Sequence, residues 1–303
     1  MKKVLLATTA VVLSAGVASA EVSFSGNARM GLQYDSSAPA GTAKTTVEKR
    51  MTVDITGTTE SSSGITFGAT MRLRSDEVAG TAISGARVYL QTNGFELGMG
   101  NINGAIDSMP GMYDSEVGLT VLNDAGVVTN TVSNPARAWG FDSYTSRGNG
   151  AEGIEAIYTA GAFTGHVSYS DNTLGGISGG VGTKRAAAYG AYTFNDWTVA
   201  LGAQKSSLSQ EDKVILTVGG KVGDYGVGFA AADNDGESKI ALSGSATFGA
   251  TTVNGFIADE ESGSDIALGL GVSYDLGGAA VVGGIERDAI GDTRADFGVQ
   301  FSF

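Results

Sequence analysis

Apolar and polar positions alternate along most of this chain with a period of two. The last ten residues show it without a break. Ala295, Phe297, Val299, Phe301 and Phe303 fall on one side, and Arg294, Asp296, Gly298, Gln300 and Ser302 on the other. Residues 22–34 behave alike, with Val22, Phe24, Ala28, Met30, Leu32 and Tyr34 opposite Ser23, Ser25, Asn27, Arg29 and Gln33. Successive side chains of a strand point to opposite faces, so the pattern predicts strands that are apolar on one face only. Tight turns separate them at Asn93-Gly94, Ala160-Gly161, Asn195-Asp196, Gly223-Asp224, Gly249-Ala250 and Gly277-Gly278, with a slightly longer one at 58–64. Several of these dipeptides tolerate the positive φ that hairpins demand. Longer polar stretches lie between the turns, at 35–46, 76–83, 102–152, 171–183, 206–212, 233–237, 260–264 and 288–293.

Short and long connections alternate throughout, which allows a count. Seven short and eight long connections join sixteen strands: 22–34, 47–57, 65–75, 84–92, 95–101, 153–159, 162–170, 184–194, 197–205, 213–222, 225–232, 238–248, 251–259, 265–276, 279–287 and 294–303. The even number leaves both ends on the short-turn side, as a closed antiparallel barrel requires. Strands of about 9–11 residues suit a tilted membrane crossing. Sixteen strands enclose a lumen too wide for side chains to fill, so the polar faces line water and the apolar faces meet lipid. Phe95, Phe163, Phe194, Trp197, Tyr225 and Phe248 crowd the short turns and read as a periplasmic aromatic girdle. A soluble sandwich also alternates, but at this length it needs two domains, and nothing here marks a linker. The expected fold is therefore all-β: a 16-stranded antiparallel transmembrane β-barrel with short periplasmic turns and long outer loops.

The third outer loop, 102–152, is far longer than a hairpin connection. It mixes Asp107, Asp114, Glu116 and Asp124 with Ile106, Met109, Met112, Tyr113, Val117, Leu119 and Leu122. Disordered loops lack such apolar content, so this one is expected to fold inward against the barrel's interior. The polar parity of the first strands carries Arg29, Arg50, Arg72, Arg74 and Arg87. One such residue is ordinary solvated charge; five on adjacent strands form a basic stretch of pore wall. Carboxylates of the loop facing arginines of the wall would make a charged constriction, the usual means by which pores select ions and small solutes.

The N-terminus adds an export signal. Met1-Lys2-Lys3 is basic, residues 4–13 are apolar but too short to span a bilayer, and Ala18-Ser19-Ala20 fits a cleavage site. Residues 1–20 are expected to leave as a signal peptide, with 21–303 forming the barrel. The remainder then has 17 basic residues against 32 acidic, a net charge of −15, which disfavours nucleic acid as a partner. Cysteine is absent, so there is no disulfide framework and no thiolate metal site. Only three prolines occur, Pro39, Pro110 and Pro135, all in expected loops, as suits a chain that is nearly all sheet.

Catalysis has little to work with. His166 is the one histidine, and no serine near it sits in a nucleophile-elbow setting. An outer-membrane barrel hydrolase is a remote alternative, and no enzyme activity or cofactor is expected. A calcium β-roll would need Gly-Gly-x-Gly-x-Asp at a nine-residue period, which is missing. Asp233, Asp235 and Glu237 have the composition of a calcium loop, set against the plainer reading of a tight outer turn. A sugar- or anion-specific channel is the main rival reading. Yet Tyr89 and Tyr189, the two tyrosines of inward parity singled out, are too few for an aromatic slide.

Residues 21–32 (EVSFSGNARMGL), 55–61 (ITGTTES), 188–194 (AYGAYTF), 248–253 (FGATTV), 271–279 (GVSYDLGGA) and 282–285 (VGGI), with the terminal Phe303, carry a family likeness. In this order and spacing the chain resembles the general porins of Gram-negative bacteria, above all those of purple non-sulfur α-proteobacteria such as Rhodobacter. The resemblance covers essentially all of 21–303. It implies a homotrimer of water-filled barrels set in outer-membrane lipid and lipopolysaccharide, passing small hydrophilic solutes. It implies that the third loop forms an eyelet, with Arg29, Arg50, Arg72, Arg74 and Arg87 on the basic side and Asp107, Asp114, Glu116 and Asp124 on the acidic side. It further implies that the ammonium of Glu21 meets the carboxylate of Phe303 to close the barrel. The Pro-Glu-Phe loop motif of enteric porins is absent, so the loop's course is not carried over.

Overall fold

The computed structural model describes residues 20–77, 80–114, 116–122, 140–173, 182–209, 211–261 and 265–303. Its strands are β1 (Glu21–Asp35), β2 (Thr45–Glu60), β3 (Thr66–Asp76), β4 (Gly80–Ile83), β5 (Arg87–Thr92), β6 (Phe95–Gly100), β7 (Gly153–Ala160) and β8 (Phe163–Asp171). They continue as β9 (Lys184–Phe194), β10 (Trp197–Ser206), β11 (Lys213–Val222), β12 (Tyr225–Asn234), β13 (Glu237–Phe248), β14 (Thr251–Glu260), β15 (Ala267–Asp275), β16 (Ala279–Arg287) and β17 (Thr293–Ser302). Each pairs antiparallel with its neighbours in chain order, and β17 returns to β1. β4 and β5 both pair with β3 and are two pieces of one stave, so the closed barrel has sixteen. In lipid such closure satisfies every backbone group of the sheet and leaves no edge.

Fifteen of the sixteen predicted strands match to within three residues. The fourth, expected unbroken over 84–92, is interrupted at Ser84-Gly85-Ala86. Ser84 still bonds to Arg72, through both its backbone N–H and its side chain. Gly85 instead donates to Gly148 O, and Asn101 takes over Ala86 O. The wall opens there to accept residues 144–149.

The outward face is the apolar one. Phe24 and Phe297 are each 64% exposed, and Leu201, Val222 and Tyr225 behave alike. The buried apolar core lies inside the barrel instead. It joins Ala105, Ile106, Met109, Met112, Val117 and Leu122 of the long loop to small wall residues such as Ala191, Ala200, Ala230, Ala232 and Ala258. Ile106 and Met109 are at most 2% exposed. Small inward residues on β9–β15 make room for the loop; bulky ones would meet it.

The barrel closes between Asn27–Asp35 and Arg294–Ser302, continued by paired backbone bonds between Gly26 and Phe303 of 2.8 and 2.9 Å. The expected meeting of Glu21 with Phe303 is not formed. β1 runs five residues past Phe303, which pairs with Gly26, and Glu21 lies opposite Thr58 of β2. The Phe303 ring packs outward over Gly26, where a Cβ would collide with it. Backbone pairing, rather than a terminal ion pair, closes the sheet.

Candidate functional site

The long loop is held to the inner wall by a series of bonds to successive strands. It begins at Glu155 of β7, whose carboxylate accepts from Asn103 N at 3.2 Å and Gly104 N at 3.0 Å. The same carboxylate takes Arg87 Nε at 2.6 Å and His166 Nε2 at 3.0 Å, all buried together. Ala105 N donates to Ser168 Oγ of β8 at 3.0 Å. Pro110 O accepts from Thr217 Oγ1 of β11 at 2.6 Å. Glu116 O accepts from Asn254 Nδ2 of β14 at 2.6 Å. Asp296 of β17 then takes three donors: Leu119 N at 2.8 Å, Thr120 N at 2.6 Å and Thr120 Oγ1 at 2.7 Å.

Three loop glycines set the turns. Gly104, Gly111 and Gly118 recur every seven residues and have φ of 80°, 81° and 81°, the left-handed region that glycine enters without steric cost. A side chain would also strike Asp142, Thr217 and Asp296 respectively. The wall answers with glycines of its own: a Cβ on Gly284 of β16 would come within 2.5 Å of Gly118 Cα.

The five arginines share the inner face of β1–β5 but are not alike. Arg29 pairs with Glu48 and donates to Leu119 O at 3.1 Å. Arg72 grips Asp54 through two bonds of 2.7 and 3.1 Å, with its guanidinium 5.0 Å from the Tyr144 ring centre. Arg74 pairs with Asp76 at 3.0 Å, and Arg147 shares that carboxylate. Arg87 is buried between Glu155 and Glu96, beneath the start of the loop, and belongs to the anchor rather than to the open wall. Arg50, opposite Arg29 in register, makes no ion pair among the described residues, and its Nε has no hydrogen-bond partner. It is the one of the five without a direct carboxylate partner, although Glu48 and Asp76 lie near it.

On the loop, Asp107 accepts a short bond from the Tyr113 hydroxyl. Asp114 lies over bare backbone, its Oδ2 3.0 Å from where a Cβ of Gly219 or Gly228 would stand. Burial holds its carboxyl above the usual aspartate range. Glu116 follows at the Asn254 contact, and Asp124 lies outside the described residues. Residues 103–122 thus follow β7–β17 and meet the arginine wall at the Arg29–Leu119 contact, and residues 144–147 of the same loop return to that wall at Arg72, Arg74 and Asp76.

Asp233, Asp235 and Glu237 do not converge. Asp235-Gly236 is a two-residue turn with φ of 54° and 85°, Gly236 N bonds back to Asp233 at 3.0 Å, and Glu237 is buried at the start of β13. No group of three histidines or carboxylates among the described residues could hold a metal ion.

The anchors Glu155, Asp296, Asn254 and Thr217 were not foreseen from sequence. Asp296 and Thr120 stand 176 residues apart, and no local pattern links them. The seven-residue glycine spacing in the loop is the one signal that could have disclosed its turns.

The Gram-negative porin family matches residues 7–300. A porin of Fuscovulum blasticum is 30% identical over 294 residues, covering 93% of this chain and all of the relative. A porin of Rhodobacter capsulatus is 31% identical over 318 residues, again with 93% and 100% covered. Among solved structures, an engineered variant of the Rh. blastica porin superposes with a TM-score of 0.81 at 28% identity, covering 93% of this chain and 100% of that one. With its sixteen-stave barrel, apolar outer face and polar inner one, the chain belongs to the Gram-negative porin family and forms a channel in the outer membrane.

Proposed function

We propose that the channel passes small hydrophilic solutes and ions by passive diffusion, with a weak preference for cations. The carrying observation is the asymmetry of the lumen. Apolar residues bind the loop to one side of the lumen, and in this reading its Asp107, Asp114 and Glu116 form the acidic side of the passage, with Arg50 and its paired neighbours Arg29, Arg72 and Arg74 the basic one. Four of the five guanidiniums have carboxylate partners, so the wall offers far less net positive charge than its count of arginines suggests. The net charge of −15 expected for residues 21–303 supports accumulation of cations in the lumen. Loop and wall together form the constriction. We further propose that three such barrels assemble as a homotrimer in contact with lipid and lipopolysaccharide, after cleavage of the leader behind Ala20.

Single-channel recording in a planar bilayer tests this. Large conductance steps proportional to salt, with a reversal potential of cation-preferring sign, are expected. Absence of pores overturns the reading; saturation by one sugar or anion converts it to a specific channel.

A further inference from the structure

Below the loop, on the short-turn side of the lumen, the wall has a hollow of about 420 Å³ that general diffusion does not require. Its roof is Asp114, its floor Asp196 of the β9–β10 turn, and Lys221 stands at one margin. Between roof and floor lie the hydroxyls of Thr198, Ser243 and Ser245.

The hollow exists because β11 and β12 carry glycine where side chains would otherwise fill it. Ser245 leans over Gly226, while Ser243 and Asp114 both reach the bare spot over Gly228. Among the described residues no donor is hydrogen-bonded to the Asp114 carboxylate or to either serine. The groups therefore point into the hollow with their bonding capacity unspent. Two carboxylates against one ammonium leave a single negative charge, and the Asp114 carboxylate, though partly desolvated by the wall, is open to the lumen and free to take a cationic solute.

We infer that this hollow is a subsite for a small hydroxylated organic cation of the amino-sugar class, its ammonium on Asp114 and its hydroxyls on Ser243 and Ser245. A neutral sugar would leave Asp114 unpaired. A simple alkylammonium would leave the serines unused. The volume lies within the range of small-molecule sites. The subsite sits behind the constriction as seen from outside, so the solute reaches it first from the short-turn side.

The inference rests on the channel reading above, and one recording separates the two. Porin reconstituted in a planar bilayer in potassium chloride is exposed on one side to glucosamine, glucose or methylammonium. Glucosamine is expected to add transient blockades and excess current noise, more frequently from the short-turn side; the other two solutes are not. D114N should shorten the blockades roughly tenfold, the scale of one charge-assisted hydrogen bond. The double variant S243A/S245A should shorten them by roughly threefold, the scale of neutral bonds. Normal pores through which glucosamine passes without excess noise, or with noise unchanged in D114N, would overturn the subsite and leave the channel standing. Absence of pores would remove both.

Discussion

The two sides of the lumen handle polar groups in opposite ways. On β1–β5 the wall is crowded with long charged side chains, and these neutralise one another in place: Arg29 with Glu48, Arg72 with Asp54, Arg74 with Asp76. On β9–β17 the wall has ion pairs of its own, such as Arg185 with Glu211 and Lys239 with Glu260, but between them it offers glycine and alanine, and polar groups hold a foreign segment against it. The first side is rigid through ion pairs among neighbouring strands. The second adds contacts to the docked loop, which cross from β7 to β17. The narrowest part of the channel therefore depends on contacts far apart in sequence.

Releasing the loop should have the largest effect. Asp296→Ala removes the acceptor of three donors, two of them backbone N–H groups, at a cost of about 3 kcal/mol by ordinary hydrogen-bond values. Single-channel conductance should rise and become noisy, and the urea midpoint of the refolded protein should fall. Asp224→Ala, in the short β11–β12 turn, is the matched control and should alter neither. Equal conductance in the two variants would show that Asp296 does not hold the constriction.

Gly284→Leu attacks the same contact from the wall. Its side chain would enter the space of Gly118, leaving the loop to move into the channel. Conductance should then fall, the reverse of Asp296→Ala. At Gly57 a Cβ meets nothing within 4 Å, so Gly57→Ala should leave conductance unchanged. A rise with Gly284→Leu would mean that the loop undocks rather than shifts.

These anchors also mark how far the sequence could be read. Strand number, facing and closure follow from period two and from parity, because each face of a membrane strand has one solvent. The inward parity of Arg29, Arg50, Arg72, Arg74 and Arg87 was legible for the same reason. Their pairing was not, since Glu48 and Asp54 share that parity and only register sets which carboxylate meets which guanidinium. Arg87 shows the consequence: correct in facing, yet buried under the loop with Glu155 and Glu96. The break at Ser84–Ala86 was hidden because its cause, the approach of Gly148, comes from a distant segment.

On the charged wall the effects should be smaller and should separate paired from unpaired arginines. Arg50→Ala removes a charge that makes no direct ion pair and lies among Arg29, Arg74, Glu48 and Asp76, and cation preference should increase, roughly twofold in permeability ratio, a modest change for one charge in a wide aqueous lumen. The double variant Arg72→Ala/Asp54→Ala deletes a neutral pair and should leave the reversal potential nearly unchanged. If both shift selectivity equally, pairing does not set the field of this wall.

The smallest effect is expected at Asp114, and it has a sign. Burial raises its carboxyl pKa above the usual aspartate value, so in the folded protein it binds a proton at higher pH than it would unfolded. The burial penalty is felt only by the ionised form. It is absent below the unfolded pKa and present once pH has risen through the folded one. Asp114→Asn should therefore stabilise the barrel slightly at neutral pH and not at strongly acidic pH, by thermal unfolding in detergent. In the channel the consequence is opposite in sense. As pH falls from neutral, Asp114 loses its charge before ordinarily placed aspartates do, and the first decline in cation preference belongs to it. In Asp114→Asn that early decline should be missing. Identical pH profiles of reversal potential in the two proteins would place Asp114 outside the conducting path, and the glycine wall would then serve only to dock the loop.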